Sequence, residues 1–260
     1  MSSLREVLEK VSRKEISPEQ AEKMLKLLAV DELGCLAKLD GNRELRKGIP
    51  EIILAEGKTP REVSRICQAM LDSRGRVIVS RCKQEHIEAI KTIPAEGFQV
   101  EINEKARMAV LKKDSYVVTG SGGRVAILTA GTSDIPIAEE AKMIAQEMGC
   151  TVYSYYDVGV AGIHRLFEPI KEVLANDVDV VVVVAGREGA LASVVSGLVD
   201  VPVIAVPTSN SYGFGAKGVG TLMAMLQSCS LGLAVVNIDG GVAAGTVATL
   251  IANRAAKFRK

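Results

Sequence analysis

The stretch VDVVVVVAG, residues 178–186, decides the fold of the second half of the chain. Successive side chains of a strand point to opposite faces, so five consecutive valines, Val180–Val184, make both faces apolar. A strand that is apolar on both faces is typical of a parallel sheet covered by helices. The run is too short and too β-branched to span a bilayer. We therefore predict a buried central strand.

Further strands and helices alternate with this one from Gly122 to a last helix that reaches Phe258. The other strand-like segments are VAILTA, VYSYYDV, VPVIAVP and LAVVNID, and segments such as DIPIAEEAKMIAQEMG and AGIHRLFEPIKEVLA read as the helices between them. This order predicts an α/β domain over residues 121–260, a flavodoxin-like parallel sheet in three layers. The glycine cluster at 120–123 marks its start.

Residues 1–120 are charge-rich and predict a small α+β domain. Helices are expected from Ser2, from Pro18 towards Leu28, and from Pro60 to near Gly75, with Ser17 and Thr59 as caps. A shorter helix is expected over 85–91, and strands in RVIVSR, FQVEI and ARMAVLKK. Two interpretations stay open for the basic residues of this half, a solvated face or contacts to an acidic ligand: Arg43, Arg46, Lys47 and Lys58.

Composition excludes several classes of function. The chain has 260 residues, of which 48% are hydrophobic, and a net charge of +1, so it can bury a core and has no bulk charge to attract nucleic acid or an acidic membrane. The N-terminus has no secretory apolar region, and we expect a cytoplasmic protein. No CxxC pair occurs among the five cysteines, so any that matters acts as a thiol: Cys35, Cys67, Cys82, Cys150 and Cys229.

Four loops at the predicted strand ends are rich in Gly, Ser, Thr and acidic residues. In a parallel sheet such loops share one edge, where ligands bind, and those that open helices favour phosphate or carboxylate. Ser133 or Asp134 alone is also explained as a helix N-cap. All four loops together favour a ligand site: Gly131–Asp134, Tyr156–Gly159, Gly186–Gly189 and Pro207–Gly220.

Several of these motifs resemble a known family. The segments GTSD, AGIHR, VPVIAVPT and MLQSCSLG resemble PurE-type aminoimidazole ribonucleotide carboxylases from about Val125 onward. A closer resemblance, over nearly the whole chain, is to LarB. It rests on YDVGVAGIHRL, AGREGALASVVSGLVDVPVIAVPTS, the SCS cysteine, VVNIDGG and the N-terminal LDGNRELRKGIPEIILAEGKTPREV.

The resemblance to LarB implies an activity. It implies carboxylation of the pyridinium ring of nicotinic acid adenine dinucleotide at C5, and hydrolysis of the phosphoanhydride to release AMP. The product, pyridinium-3,5-biscarboxylic acid mononucleotide, is the precursor of the nickel-pincer cofactor of lactate racemase. This chemistry asks for a thiolate that adds to ring C4 and for a base that removes the C5 proton.

The resemblance also assigns site residues. Cys229 is expected as nucleophile, Glu188 as proton acceptor or as the base that activates Cys229, and His164 as proton shuttle. As alternatives, Glu188 is a first-turn acid at a helix N-terminus and His164 a structural hydrogen-bonding residue. Substrate contacts are expected from the loops: Thr132, Ser133, Asp134, Asp157, Gly159, Gly162, Arg165, Gly186, Gly189, Thr208, Ser209, Gly213, Lys217 and Gly218.

Cofactor and assembly follow from the same resemblance. Mg²⁺ is expected without an organic cofactor, with Asp134 and Asp157 as possible ligands and no sequence motif for a metal. A helix of a dozen residues from Val219 would carry Cys229 roughly 18 Å from the loops. Either that helix ends before Ser228, or the cysteine serves a neighbouring subunit. The resemblance favours a homo-oligomer, such as an octamer, with shared sites.

Two other functions stay open. One is a purine-pathway carboxylase or mutase acting on aminoimidazole ribonucleotide, which explains GTSD and HR but not the N-terminal half or the SCS cysteine. The other is a module that binds a dinucleotide without turnover, because this architecture hosts many functions.

Overall fold

The chain forms two compact units. The structure, a computed structural model, describes residues 4–25, 31–33, 37–39, 43–94 and 96–259. One unit comprises Met1–Glu101 and Ala109–Tyr116, and the other Ile102–Met108 and Val117–Lys260. Some predictions fall outside the described residues: the start of the first helix, the second helix beyond Leu25, residues 40–42, and Cys35.

The first unit confirms the predicted α+β character. Its four-stranded sheet has the order β3-β4-β6-β5, with β3 parallel and β6 antiparallel to β4, and β1 and β2 form an antiparallel pair. The elements are α1 (Leu4–Ser12), α2 (Pro18–Leu25), β1 (Asp31–Leu33), β2 (Ala37–Leu39), α3 (Arg43–Lys47), β3 (Ile52–Leu54), α4 (Pro60–Arg74), β4 (Arg76–Ser80), α5 (Gln84–Lys91), β5 (Phe98–Asn103) and β6 (Met108–Lys113).

Both predicted caps of this unit are formed. Ser17 and Gln20 exchange side-chain and backbone hydrogen bonds at the start of α2. Thr59 and Glu62 do the same at the start of α4, which ends at Gly75 in the left-handed conformation with φ of 75°. These local hydrogen bonds satisfy backbone groups that the helix itself leaves open.

The second unit is the predicted three-layer α/β domain. Its five strands are all parallel in the order β11-β10-β9-β7-β8. The elements are β7 (Arg124–Thr129), α6 (Ile135–Glu147), β8 (Thr151–Tyr155), α7 (Phe167–Ala175), β9 (Val180–Ala185), α8 (Ala190–Ser196), β10 (Val203–Pro207), α9 (Val219–Leu226), β11 (Leu233–Val235) and α10 (Gly241–Ala256). If the strands of this sheet are numbered from β7, their order is 2-1-3-4-5, which is the order of flavodoxin. The switch point of this order lies between β7 and β9.

The core explains the valine run. Val181 and Val183 pack with α7 and α8 on one face of the sheet. The remaining valines of β9 pack on the other face, against alanines of α6 and α10. Every residue of β9 is buried, as the double-sided apolar pattern predicts.

Two predicted helices of this unit are shorter than the sequence suggests. The AGIHR segment lies in a 3-10 stretch, Val160–Leu166, interrupted by Gly162 at φ −135° and ψ 59°, so that α7 begins only at Phe167. Helix α9 has eight residues rather than a dozen and ends at Leu226. The hydroxyl of Ser228 bonds Ser193 and the backbone N–H of Ser230, which competes with a further helical turn.

In the part of the chain that the structure describes, no helix combines the length and the hydropathy that crossing a membrane requires.

Candidate functional site

A cleft of about 440 Å³ lies at the carboxyl ends of β7 and β9, at the switch point of the sheet. We call it the main cleft. All four predicted loops contribute to it, the fourth through Asn210. The predicted site residues that line it are Ser133, Asp134, Gly159, Arg165, Gly186 and Glu188.

Asp134 is the most enclosed acid of the main cleft, at 3% exposure. One carboxylate oxygen accepts a 2.8 Å hydrogen bond from the Thr208 hydroxyl, and the other accepts from the Gly131 N–H at 2.9 Å. Burial raises the pKa of Asp134, although these hydrogen bonds oppose the rise. Helix α6 receives no side-chain cap from Asp134. Asp134 therefore does not cap α6 itself. Its carboxylate caps the 3-10 turn Thr132–Asp134, which leads into α6, by accepting from the Gly131 N–H.

Arg165 is one of two arginines that line the main cleft among the described residues, the other being Arg187. The Arg165 guanidinium donates to Asp157, whose backbone N–H is held by the Thr129 hydroxyl at 3.0 Å. A guanidinium has five N–H donors, so one carboxylate leaves others for an anion. His164 precedes Arg165 but is exposed, and the described lining of the cleft does not include it.

Glu188 lies in a tight loop between β9 and α8. A side chain at Gly186 would come within 2.9 Å of the Thr208 hydroxyl, so this position accepts only glycine without rearrangement. Gly189 has φ of 68°, and the space beside it is filled by Met225. The loop therefore brings the exposed Glu188 to the rim of the main cleft.

Other predicted contacts lie behind or beside the main cleft. Thr208 is fully buried and reaches the site only through Asp134. The Ser209 N–H donates to Asp239 at 2.8 Å, and Lys217 is exposed with φ of 54°. Among the described residues, the lining excludes these predicted contacts: Thr132, Asp157, Gly162, Gly189, Thr208, Ser209, Gly213, Lys217 and Gly218.

Cys229 is the exposed cysteine of the described residues, since Cys67, Cys82 and Cys150 are buried. Burial raises the pKa of the Cys67 thiol to about 12. Ser228 and Ser230 on either side of Cys229 bond Ser193 of α8, each at 2.8 Å. Helix α9 thus ends before Ser228, which was the first of the two predicted alternatives. Cys229 nevertheless does not line the main cleft of its own chain.

Two lining residues, Asn210 and Arg187, had no role assigned from the sequence. The Asn210 amide donates to the Ser133 carbonyl at 2.7 Å, which ties the two loops together. Arg187 has φ of 55° and lines both the main cleft and a neighbouring cavity of about 360 Å³, which we call the second cavity. The sequence signal that could have pointed to Arg187 is an arginine between glycines at the end of a buried strand.

The acids do not fit a metal site made by protein alone. Asp157 is ion-paired with Arg165, and Asp134 is already held by two donors. Across the described ranges, no three His, Cys, Asp or Glu side chains gather closely enough to hold a metal ion.

Comparisons with known proteins agree with this architecture. Residues 30–113 match the family described as LarB/PurE-like N-terminal domain, and residues 124–259 match AIR carboxylase. The chain is 42% identical over 252 residues to the uncharacterized protein MJ0165 of Methanocaldococcus jannaschii, covering 96% of this chain and 97% of that one.

More distant relatives match about half of the chain. The N5-carboxyaminoimidazole ribonucleotide mutase of Thermotoga maritima is 28% identical over 129 residues, 48% of this chain and 66% of the mutase. The mutase of the same name from Pyrococcus horikoshii is 27% identical over 132 residues, 49% of this chain and 71% of the mutase.

The parallel sheet, its switch-point cleft and these matches define a carboxylase/mutase-type α/β protein. With the LarB/PurE-like domain in front of the AIR carboxylase domain, the chain belongs to the LarB family.

Proposed function

We propose that this protein carboxylates C5 of the pyridinium ring of nicotinic acid adenine dinucleotide and hydrolyses its phosphoanhydride. The products are pyridinium-3,5-biscarboxylic acid mononucleotide, the nickel-pincer precursor, and AMP. The observation that carries the choice is the combination of a LarB/PurE-like N-terminal domain with a carboxylase domain that exposes one thiol, Cys229.

The main cleft supports binding of the pyridine mononucleotide half. Ser133 lies at its exposed rim beside the start of α6, where backbone N–H groups favour phosphate. Arg165 adds a cation. The Gly159 backbone lies against Ala130, so closely that a side chain at 159 would come within 2.5 Å of the Ala130 carbonyl. Glu188 at the rim offers a negative group to the pyridinium charge.

The reaction needs no oxidant. The Cys229 thiolate forms a C–S bond at ring C4, and the ring electrons move to the nitrogen, which gives a dihydropyridine. C5 is then an enamine carbon and attacks CO₂, which forms the new C–C bond. Glu188 removes the C5 proton, the C–S bond breaks, and the thiolate leaves as the aromatic ring returns. Water cleaves the phosphoanhydride to the mononucleotide and AMP.

A shared site explains how the thiol reaches the ring. Cys229 does not line the main cleft of its own chain, so we assign the thiol at each cleft to another copy of the chain, in a homo-oligomer. Helix α9 supports this assembly, because Val219, Met223 and Leu226 leave an apolar face 41%, 58% and 66% exposed. His164 is exposed beside Arg165. In such a shared site it keeps its proposed role as proton shuttle.

Mass spectrometry of reaction products tests the proposal. The protein is incubated with the dinucleotide, bicarbonate and magnesium, and in parallel with aminoimidazole ribonucleotide. We expect a carboxylated pyridinium mononucleotide and AMP, absent for Cys229→Ala and retained for Cys150→Ala. Carboxylation or rearrangement of aminoimidazole ribonucleotide instead would establish the mutase alternative. Binding of the dinucleotide without any product would establish a binding module.

A further inference from the structure

The segment that carries Cys229 joins the end of α9 to the start of β11 and is held by serine hydroxyls. Each described hydrogen bond of residues 229–231 involves such a hydroxyl. A loop residue whose backbone pairs with no strand or helix keeps its conformational freedom unless side chains fix it. The position of the thiol therefore depends on these hydroxyls.

Two of the hydroxyls come from α8. Ser193 and Ser196 are three residues apart, which places both side chains on the same face of the helix. The Ser193 hydroxyl lies 2.8 Å from the Ser228 hydroxyl, and the Ser196 hydroxyl donates to the Leu231 carbonyl at 2.8 Å. The two bonds thus reach the segment on either side of Cys229.

Ser230 adds a third link to the same helix. Its hydroxyl donates to the Ser193 carbonyl at 2.8 Å, and its N–H donates to the Ser228 hydroxyl at 3.2 Å. Cys229 lies between these two serines and is itself exposed. The Ser-Cys-Ser sequence therefore fixes the backbone on both sides of the thiol and leaves the thiol open to a substrate.

Helix α8 is a rigid support for the segment. Its residues Leu191, Ala192 and Val195 are at most 1% exposed and pack in the core of the second unit. Serine is a poorer helix former than alanine, so the serines at 193 and 196 do not favour the helix itself. Their bonds to the Cys229 segment explain why hydroxyls stand at these two positions.

Attack on ring C4 requires a thiolate at a defined place, because a displacement of about 1 Å can lower a rate about a hundredfold. We propose, on the basis of the function proposed above, that Ser193 and Ser196 are positioning residues for the Cys229 thiol. They act through the backbone of the segment. The thiol bonds the ring only after the dinucleotide is bound, so their loss slows the chemical step and leaves binding intact.

Steady-state kinetics of the full chain with the dinucleotide, bicarbonate and magnesium tests this role in Ser193→Ala and Ser196→Ala. We expect kcat of carboxylation to fall about tenfold in each variant and KM for the dinucleotide to stay within about twofold. Ser193→Thr keeps the hydroxyl and should restore most of kcat. The matched control is Ser73→Ala, because the Ser73 hydroxyl bonds the Ala69 carbonyl of its own helix, and it should change neither constant.

Amide hydrogen exchange of residues 228–232 is measured on the same proteins. We expect faster exchange in Ser193→Ala and Ser196→Ala, because each variant releases one end of the segment. Ser193→Thr and Ser73→Ala should exchange as the wild type does. This measurement needs no substrate, so it reports on the segment whatever reaction the protein catalyses.

Two results would overturn the positioning role while the proposed function stands. One is a wild-type kcat in both alanine variants. The other is a fall in kcat that comes with unchanged exchange of the segment or with an equal rise in KM, which would indicate a general defect. The proposed function fails separately. A wild type that forms no carboxylated product removes it and the positioning role together, even where exchange rises in the alanine variants.

Discussion

At the scale of single residues, Asp134 couples the ligand loops to pH. Burial raises its pKa in the folded protein above the value of about 3.9 expected in the unfolded chain. Between those two values the folded state binds more protons, so the free energy of unfolding falls as pH rises and then levels off above the folded pKa.

We expect the difference in unfolding free energy between wild type and Asp134→Asn to fall in this way as pH rises. The asparagine amide does not titrate, and the contributions of the other titratable groups cancel in the difference. Urea unfolding at a series of pH values from 4 to 8 measures it. A difference that stays flat, or grows with pH, would show that the folded pKa of Asp134 is not raised.

Thr208 acts on the main cleft through Asp134. Thr208→Val removes a buried hydroxyl donor and keeps the side-chain shape, so we expect a loss of about 1–3 kcal/mol in unfolding free energy and weaker mononucleotide binding. Thr208→Ser keeps the donor and should restore most of both properties. If Val proves as good as Ser in unfolding and titration, the hydrogen bond has no role in holding the loop.

The sequence predicted which residues lie close together where a loop follows a buried strand. Ser133, Asp134 and Glu188 meet at one cleft because parallel strands end at one edge. In the loop after β10, Ser209 and Lys217 carry residue types suited to phosphate but do not line the main cleft of their own chain, so their contacts stay predictions. The Arg187 backbone donates to the Ser211 hydroxyl and accepts from the Thr221 hydroxyl, and no spacing rule connects these positions.

At the scale of elements, the close contact of α6 and α10 depends on glycine. A side chain at Gly245 would come within 2.6 Å of the Ala141 carbonyl of α6. We expect Gly245→Ala to lower the unfolding free energy by about 1–3 kcal/mol through overpacking, measured by urea or thermal unfolding.

Gly197→Ala is the control for this substitution. Gly197 ends α8 with φ of −81°, and a side chain there would meet its neighbours only at 3.5 Å or more. Its effect should stay within about 0.5 kcal/mol. Equal effects of the two substitutions would contradict the close packing of α6 on α10.

Elements with local signals were predicted well. Residues that are close together in the sequence specify the caps at Ser17 and Thr59 and the valine run of β9. Elements that end for tertiary reasons were predicted too long. Helix α9 stops because Ser228 and Ser230 bond α8, a contact between distant parts of the sequence.

At the scale of the whole molecule, the proposed mechanism requires that chains share sites. Neither Cys229→Ala nor Glu188→Gln should carboxylate the dinucleotide alone. Mixed oligomers made by co-expression should regain about a quarter of wild-type activity in a pairwise arrangement, because one site in four then receives both intact groups. Product formation per chain measures the gain. Mixtures that stay inactive would show that each chain must supply its own thiol.

The position of the new carboxylate distinguishes pyridinium carboxylation from the mutase alternative. The protein is incubated with nicotinic acid adenine dinucleotide and ¹³C-bicarbonate, and the product is examined by carbon NMR and mass spectrometry. We expect a single labelled carboxylate on ring C5 of the pyridinium mononucleotide, with equimolar AMP. An unlabelled pyridine ring, together with label on an aminoimidazole ring in the parallel reaction, would contradict it.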